Sequence, residues 1–170
     1  ICEKPMSNQS VDAAASSQET IEGNLLKNIE VFNPLVVNGN ITAGLKIVCH
    51  SSLTVRENVF ASEIVCHGDF IVEKNIELAP GTRIAVKGHI RAAEIKNGDI
   101  DCDKGLYVSG NIVDSVIRCR HIVNVSGSIE GGDVAAASSI TAGRLGFEGQ
   151  KADSTKVGAG TNFRLRLMND

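Results

Sequence analysis

IVCHSSLTVRENV, residues 47–59, is followed at residues 64–76 by IVCHGDFIVEKNI. Each position of the first stretch, from Ile47 to Val59, has its counterpart seventeen residues later. Similarity at a short fixed period is the signature of a repeat architecture, in which each unit packs against its neighbours in sequence. This repeat decides the fold, and the same pattern extends from it in both directions.

Each repeat contains three short apolar segments. In a segment, two apolar residues flank one intervening residue, as in Ile47/Cys49, Leu53/Val55 and Val59/Ala61. Alternation with a period of two predicts a short strand with both apolar side chains on one face. The segments recur at about six residues and are rich in Val, Ile and Thr, which disfavours a helix.

The chain is therefore predicted to be all-β, as a parallel β-helix of about six to seven coils. Each coil has 17–18 residues and three short strands, and climbs about 4.8 Å along the axis. Most segments read large-x-small before a turn, whereas left-handed hexapeptide proteins read small-x-large, so the pattern favours a right-handed coil. An insertion of about three residues near LAPGTR, residues 78–83, predicts a loop at 79–83.

Composition divides the chain into three parts. Residues 1–20 are rich in Ser, Ala, Gln and Asn and predict a flexible N-terminal tail. Residues 21–145 carry the predicted β-helix, with 21–28 leading into it. After Leu145 the repeat stops, so residues 146–170 are predicted to be a C-terminal loop and a capping strand, FRLRL at 163–167.

A column of asparagines precedes the third segment of successive coils. Its members are Asn40, Asn58, Asn75 and Asn111, with Ser128 continuing the series. Asparagines stacked at one turn predict a ladder of side-chain hydrogen bonds along the axis. We predict that Asn75→Ala lowers stability by about 1 kcal/mol or more, while His67→Ala has almost no effect.

Four of the five cysteines also follow the repeat: Cys49, Cys66, Cys102 and Cys119. A disulfide framework has no reason to follow a structural repeat, so a buried column of reduced thiols is the better interpretation. Reduced thiols predict a reducing compartment, and hence a cytoplasmic location.

The totals exclude several classes of protein. Seventeen basic and twenty acidic residues give a net charge of −3, so no nucleic-acid partner is implied. No apolar run approaches the roughly 18 residues of a membrane span. No Trp, one Tyr and five Phe argue against a carbohydrate-binding or base-stacking face.

No stretch predicts an active site, a metal site or a cofactor site. Strand alternation places Cys49 and Cys66 inside and the adjacent His50 and His67 outside, so each Cys-His pair diverges. At most, the side chains of His50 and His67 lie next to each other on neighbouring coils and form a weak metal site at the surface. His89 and His121 lie in turns without a predicted partner. Outward acidic residues Asp99, Asp101 and Asp103 predict a charged, solvated face that keeps the sheet from pairing.

Several glycine-punctuated motifs resemble the β-helical domain of the bacterial flagellar assembly protein A family. They are VNGNITAG (37–44), GNIVDSVIRC (110–119), VSGSIEGGDVAA (125–136), ITAGRLG (140–146) and TKVG (155–158). Bactofilins and the C-terminal domain of the septum-site-determining protein MinC are more loosely similar.

This resemblance implies a non-enzymatic structural or assembly module without a cofactor. Protein partners, or further copies in a homo-oligomer, are expected at the ends of the helix or at the C-terminal strand. Two alternatives stay open: a bactofilin-like polymer-forming scaffold, and a hexapeptide-type acyltransferase with a left-handed β-helix.

Overall fold

The computed structural model describes residues 17–146, 155–159 and 165–167, which contain nineteen β-strands and no helix. The strands are β1 (Glu19–Ile21), β2 (Ile29–Val31), β3 (Leu35–Val37), β4 (Lys46–Cys49), β5 (Leu53–Val55), β6 (Val59–Phe60), β7 (Glu63–Cys66), β8 (Phe70–Val72), β9 (Asn75–Glu77), β10 (Ile84–Val86), β11 (Ile90–Ala92), β12 (Glu94–Lys96), β13 (Asp99–Cys102), β14 (Gly105–Val108), β15 (Ile112–Cys119), β16 (Ile122–Ala136), β17 (Ser139–Leu145), β18 (Thr155–Ala159) and β19 (Leu165–Leu167).

Strands from successive coils pair in parallel, and the repeat sets their register. Ile47 aligns with Ile64 where β4 pairs with β7, and Leu53 aligns with Phe70 where β5 pairs with β8. The chain is thus a parallel β-solenoid of about seven coils, as the sequence predicted. The right-handed sense stays a prediction.

Three columns of strands surround the core, one for each segment of the repeat, and each corner takes the number of the column that it follows. The first column contains β2, β4, β7, β10, β13, the second half of β15, the end of β16, and β18. Inward side chains stack in rows, as Ile47, Ile64 and Ile84 do, all of them fully buried. Each such side chain contributes roughly 1.5–3 kcal/mol by its removal from water.

The corner after the third segment differs from the prediction. Ala61 was expected to face inward, but it adopts a φ of 34° and is only half buried, and Ala43 is exposed. Ser62 is fully buried instead, with Oγ 2.6 Å from the Thr42 carbonyl oxygen and 2.8 Å from that of Phe60. The alternation fails here because the backbone turns after a single inward residue.

The insertion between β9 and β10 forms a tight turn. The amide of Thr82 donates to the carbonyl of Ala79 at 3.1 Å, and Gly81 has a φ of 87°. Pro80 followed by a glycine with positive φ is the pattern of a type II turn. The three extra residues therefore leave the coil and return to the same corner, so β10 keeps its register with β7.

The N-terminal boundary lies earlier than predicted. Glu19 and Thr20, assigned to the tail, form β1 with Ile21 and pair with β3. Leu25 bridges Ile41 and is buried, so the predicted lead-in is itself part of a coil. The apolar contacts of Leu25 provide the buried surface that the polar composition of residues 1–20 does not predict. Residues 1–16 of the predicted tail lie outside the described residues.

The repeat also continues beyond Leu145, contrary to the prediction. β18 lies in a stretch expected to be loop and pairs with β16, aligning Val157 with Val134. β19, within the predicted capping strand, pairs with β17 and aligns Leu165 with Ile140. β18 therefore extends the first column, and β19 extends the second. An alternating stretch such as Thr155–Ala159 can pair with the preceding strand in the same register. The rest of the predicted C-terminal loop lies outside the described residues.

Candidate functional site

A groove of about 830 Å³ lies on the outer surface of the first column and extends from β7 to β18. Its floor contains small outward residues from the middle of the strands, Val65, Ala85, Ala135 and Gly158, and the same row holds Asp101 and Arg118 between Ala85 and Ala135. We call this feature the first-column groove. Outward positions of a sheet normally carry long polar side chains, so small residues at these positions create the depression.

Charged residues from the central coils line this groove in ion pairs. The pairs are Arg83–Asp101, Arg118–Asp99 (2.9 Å), Arg118–Asp101 (3.6 Å) and Arg120–Asp103 (3.3 Å). The three aspartates were predicted as a charged outer face, and they do point away from the core. The sequence did not show that each meets an arginine from an adjacent coil, because those partners lie seventeen to nineteen residues away.

His50 lies at the outer corner that follows the first column, in a stack of rings. Its ring stacks on Phe32 at 4.4 Å between centroids and meets the edge of His67 at 4.9 Å. Its Nε2 lies 2.9 Å from an oxygen of Glu30 on the preceding coil. The sequence offered no carboxylate partner for this histidine, because the partner comes from another coil.

The other two histidines also have partners, contrary to the prediction. His89 Nδ1 accepts a hydrogen bond of 3.2 Å from the amide of Gly105, and His121 Nδ1 lies 2.9 Å from Ser138 Oγ. Both contacts join successive coils. These histidines therefore connect turns to one another.

The four repeat-related cysteines are free thiols buried in the first column. Cys49 aligns with Cys66, and Cys102 aligns with Cys119, while Val86 occupies the intervening position. The column thus consists of two thiol pairs separated by a valine.

The thiols donate to carbonyl oxygens at the first corner. Cys66 Sγ donates to the Ser51 carbonyl at 3.2 Å, and Cys119 Sγ to that of Lys104 at 3.1 Å. The hydrogen bond with Cys49, together with burial, raises the pKa of Cys66 well above the ordinary thiol value, and the hydrogen bond with Cys119 does the same for the pKa of Cys102. A thiol held protonated is a poor nucleophile and a poor metal ligand. The same hydrogen bonds lower the pKa of the partner thiols, Cys49 and Cys119, to about 7.

Asparagine side chains connect the coils at the second corner. Asn58 Nδ2 donates to Asn40 Oδ1 at 3.2 Å, and the amide of Asn75 donates to Asn58 Oδ1 at 3.2 Å. Farther along, Asn111 Oδ1 accepts from the amide of Ser128 at 2.9 Å and from its hydroxyl at 3.0 Å. Glu94 occupies the position between Asn75 and Asn111, in register with Asn75 and ion-paired with Lys96 at 3.2 Å.

Two further hydrogen-bonding positions, Asn24 and Ser115, were not predicted from the sequence. Asn24 extends the column of asparagines by one coil, since its Oδ1 accepts from the amide of Asn40 at 2.9 Å. Ser115 is fully buried at the third corner, where its Oγ donates to Val113 and accepts from the amide of Gly98. Asn24 precedes Leu25 as Asn40 precedes Ile41, and that signal was available.

No group of three or more His, Cys, Asp or Glu side chains that could hold a metal ion occurs within the described ranges. The same residues include no helix with the length and apolarity needed to cross a membrane.

Stacked parallel coils around one aliphatic core, with a charged groove along one side, define a parallel β-solenoid protein. The chain matches the family model of the Flagellar Assembly Protein A (FapA) beta solenoid domain over residues 28–168, and it belongs to that family. This confirms the resemblance found in the sequence. Neither the search of curated proteins nor that of solved structures found a match.

Proposed function

We propose that this chain is a non-enzymatic assembly module that binds protein partners through the outer surface of its solenoid. The name of its family supports this proposal and suggests flagellar assembly as the process served. The buried reduced thiols favour a cytoplasmic location, as the sequence predicted.

One observation carries the proposal: the side chains capable of chemistry diverge. The cysteines face the core, His50 with its partner Glu30 lies in a stack of rings outside the groove lining, and the aspartates of the groove are paired with arginines. Catalysis needs a nucleophile or base positioned with a partner beside a space for substrate. A surface of paired charges suits the recognition of another macromolecule better.

Deleting the gene in the source bacterium tests the assembly role directly. We expect fewer or shorter flagella in electron micrographs of the deletion strain, and their recovery when the intact chain is expressed. Normal flagella in the deletion strain would contradict the flagellar role.

A polymer-forming scaffold is the second candidate, favoured by the edges of the solenoid. Within the described part, β1 pairs only with β3 and β2 only with β4, so each offers a free edge of backbone groups. Light scattering across concentration, with electron microscopy of the most concentrated sample, separates the candidates. Growing end-to-end fibres would favour the scaffold, whereas a fixed small oligomer would favour the assembly module.

A further inference from the structure

We infer that the first-column groove binds an extended, acidic peptide segment of a partner protein. This inference rests on the proposed function, and it assigns the site and the chemistry of the partner.

The charge of the groove is opposite to that of the chain. Four cationic side chains and two carboxylates line it, although the net charge of the whole chain is −3. The cations are Arg83, Lys87, Arg118 and Arg120. Asp99, which lies outside the lining, also pairs with Arg118, and this leaves Lys87 as the cation with no carboxylate partner among the described residues.

The arginines keep hydrogen-bonding capacity after pairing with aspartates. A guanidinium has five N–H donors in a planar fork, whereas the Arg120–Asp103 pair is a single contact of 3.3 Å. The Arg120 side chain is 79% exposed, so a further carboxylate can approach it from solvent. Lys87 and Arg120 lie on the same wall, at the position that directly follows the strands, and Asp103, the partner of Arg120, lies between them.

The shape of the groove fits an extended chain. From β7 to β18 the lining crosses six coils, which span about 24 Å at roughly 4.8 Å per coil. An extended peptide of about seven residues has that length at roughly 3.3 Å per residue. Ala85 and Ala135 let its backbone approach the floor closely on either side of Asp101 and Arg118, which lie between them in the same row.

The lining argues against other anions of similar length. Among the described residues its one ring is that of His67, which already meets the ring of His50, so no Phe, Tyr or Trp there can stack on a nucleobase or a sugar. The solvent-facing backbone of the column is already paired between coils, so recognition must come from side chains. Carboxylates spaced along an extended peptide meet that requirement.

Fluorescence anisotropy with defined peptides tests the inference. The probe is a fluorescein-labelled peptide of alternating glutamate and threonine, and the matched probe replaces each glutamate with lysine. At about 0.1 M salt, where exposed charges are screened beyond about 10 Å, we expect the glutamate peptide alone to bind. The double variant Lys87→Glu/Arg120→Glu should weaken this binding by about tenfold or more.

The matched control, Lys27→Glu/Lys74→Glu, changes net charge equally but lies outside the groove. Binding by this control should stay within about twofold of the wild type. Equal weakening by both double variants would show general charge attraction and overturn the inference, as would equal binding of the two peptides.

Methyl NMR locates the bound peptide. Shifts on adding the glutamate peptide should concentrate at Ala85, Ala135 and Ala137, which line the groove. Shifts concentrated instead at Ala92 and Ala93, beside the smaller groove of the second column, would overturn the assignment.

The two proposals fail separately. If the peptide tests fail but the chain restores flagella to the deletion strain, the assembly role stands and the groove assignment falls. If the deletion strain is normally flagellated while Lys87→Glu/Arg120→Glu abolishes peptide binding, the groove stands and the flagellar role falls.

Discussion

At the scale of single residues, Asn58 shows how one side chain joins three coils. Its Nδ2 donates to Asn40 on the preceding coil, and its Oδ1 accepts the backbone amide of Asn75 on the following coil. Parallel pairing brings the equivalent residue of each coil to the same place, so a single amide group satisfies donors and acceptors on both sides. Asn75, the last of this series, has an exposed side chain.

We therefore predict that Asn58→Ala lowers the free energy of unfolding by about 1–3 kcal/mol, because it leaves the Asn75 amide without its acceptor. Asn75→Ala should cost less, since its side chain accepts no such amide in the structure. Urea denaturation measures both. Asn124→Ala, at an exposed strand position, is the control and should lie within about 0.5 kcal/mol of the wild type. A loss at Asn124 equal to that at Asn58 would contradict the assignment.

The buried thiols predict a dependence of stability on pH. The raised pKa values keep Cys66 and Cys102 protonated in the folded chain, whereas unfolded thiols ionise near pH 8.5. Their contribution is thus complete below about pH 8.5 and is lost as pH rises, by about 1.4 kcal/mol per thiol and pH unit. Urea unfolding from pH 7 to 10 in a reductant measures this loss.

The control is Cys66→Ala/Cys102→Ala, which lacks both thiols. The difference in slope between the two proteins reports on these thiols and on their hydrogen-bonded partners, Cys49 and Cys119. Parallel slopes above pH 9 would mean that burial does not hold these thiols protonated.

At the scale of elements, the third corner depends on glycine. Gly132 has a φ of 75°, and a Cβ placed on it would lie 2.1 Å from the Ser115 carbonyl oxygen. Gly146 has the same φ, but a Cβ there meets no atom of the described residues within 4 Å. The two positions separate backbone strain from steric overlap.

We predict that Gly146→Ala costs about 1–2 kcal/mol, which is the cost of the left-handed backbone. Gly132→Ala should cost at least about 1–3 kcal/mol more, because the carbonyl must move. Thermal unfolding of the two variants compares them. Equal losses would mean that the corner relaxes freely and that the close contact has no cost.

Strands were the predictable elements, and corners were not. In a segment such as Ile47/Cys49, the alternation of apolar residues shows which side chains face the core. The columns of strands and their register could therefore be predicted from the repeat. The corner at Ala61 depends on a positive φ in a residue other than glycine, and no sequence pattern predicts such a conformation. The groove was missed for another reason: its depth comes from small side chains on coils far apart in sequence, as Val65 and Ala135 are.

At the scale of the whole molecule, each coil is an interchangeable layer. Lys46 is in register with Glu63, so removing residues 46–62 joins Leu45 to Glu63 without a change of column. Asn40 then precedes Asn75 in the series of asparagines. In a repeat protein the stability is approximately the sum of the contributions of the coils and of the interfaces between neighbouring coils. The shorter solenoid should therefore lose the contribution of one coil and one interface to its free energy of unfolding.

We predict that the variant lacking residues 46–62 folds and unfolds cooperatively, and is about 4.8 Å shorter by small-angle X-ray scattering. The matched control lacks residues 46–54, which puts every later strand out of register with β2 and β3, while the later coils keep their register with one another. It should therefore be less stable than the first variant, although it loses fewer residues. A control at least as stable as the first variant would show that coil length does not set the register.

Val86 determines which bonds oxidation can form. A disulfide needs Cα atoms within about 7 Å, and neighbouring coils, about 4.8 Å apart, meet that requirement. Cys66 and Cys102, on either side of Val86, are two coils apart, or about 9.6 Å. The folded core therefore permits one connectivity among its four cysteines, Cys49–Cys66 with Cys102–Cys119, and thiol–disulfide exchange in one pair has no route to the other.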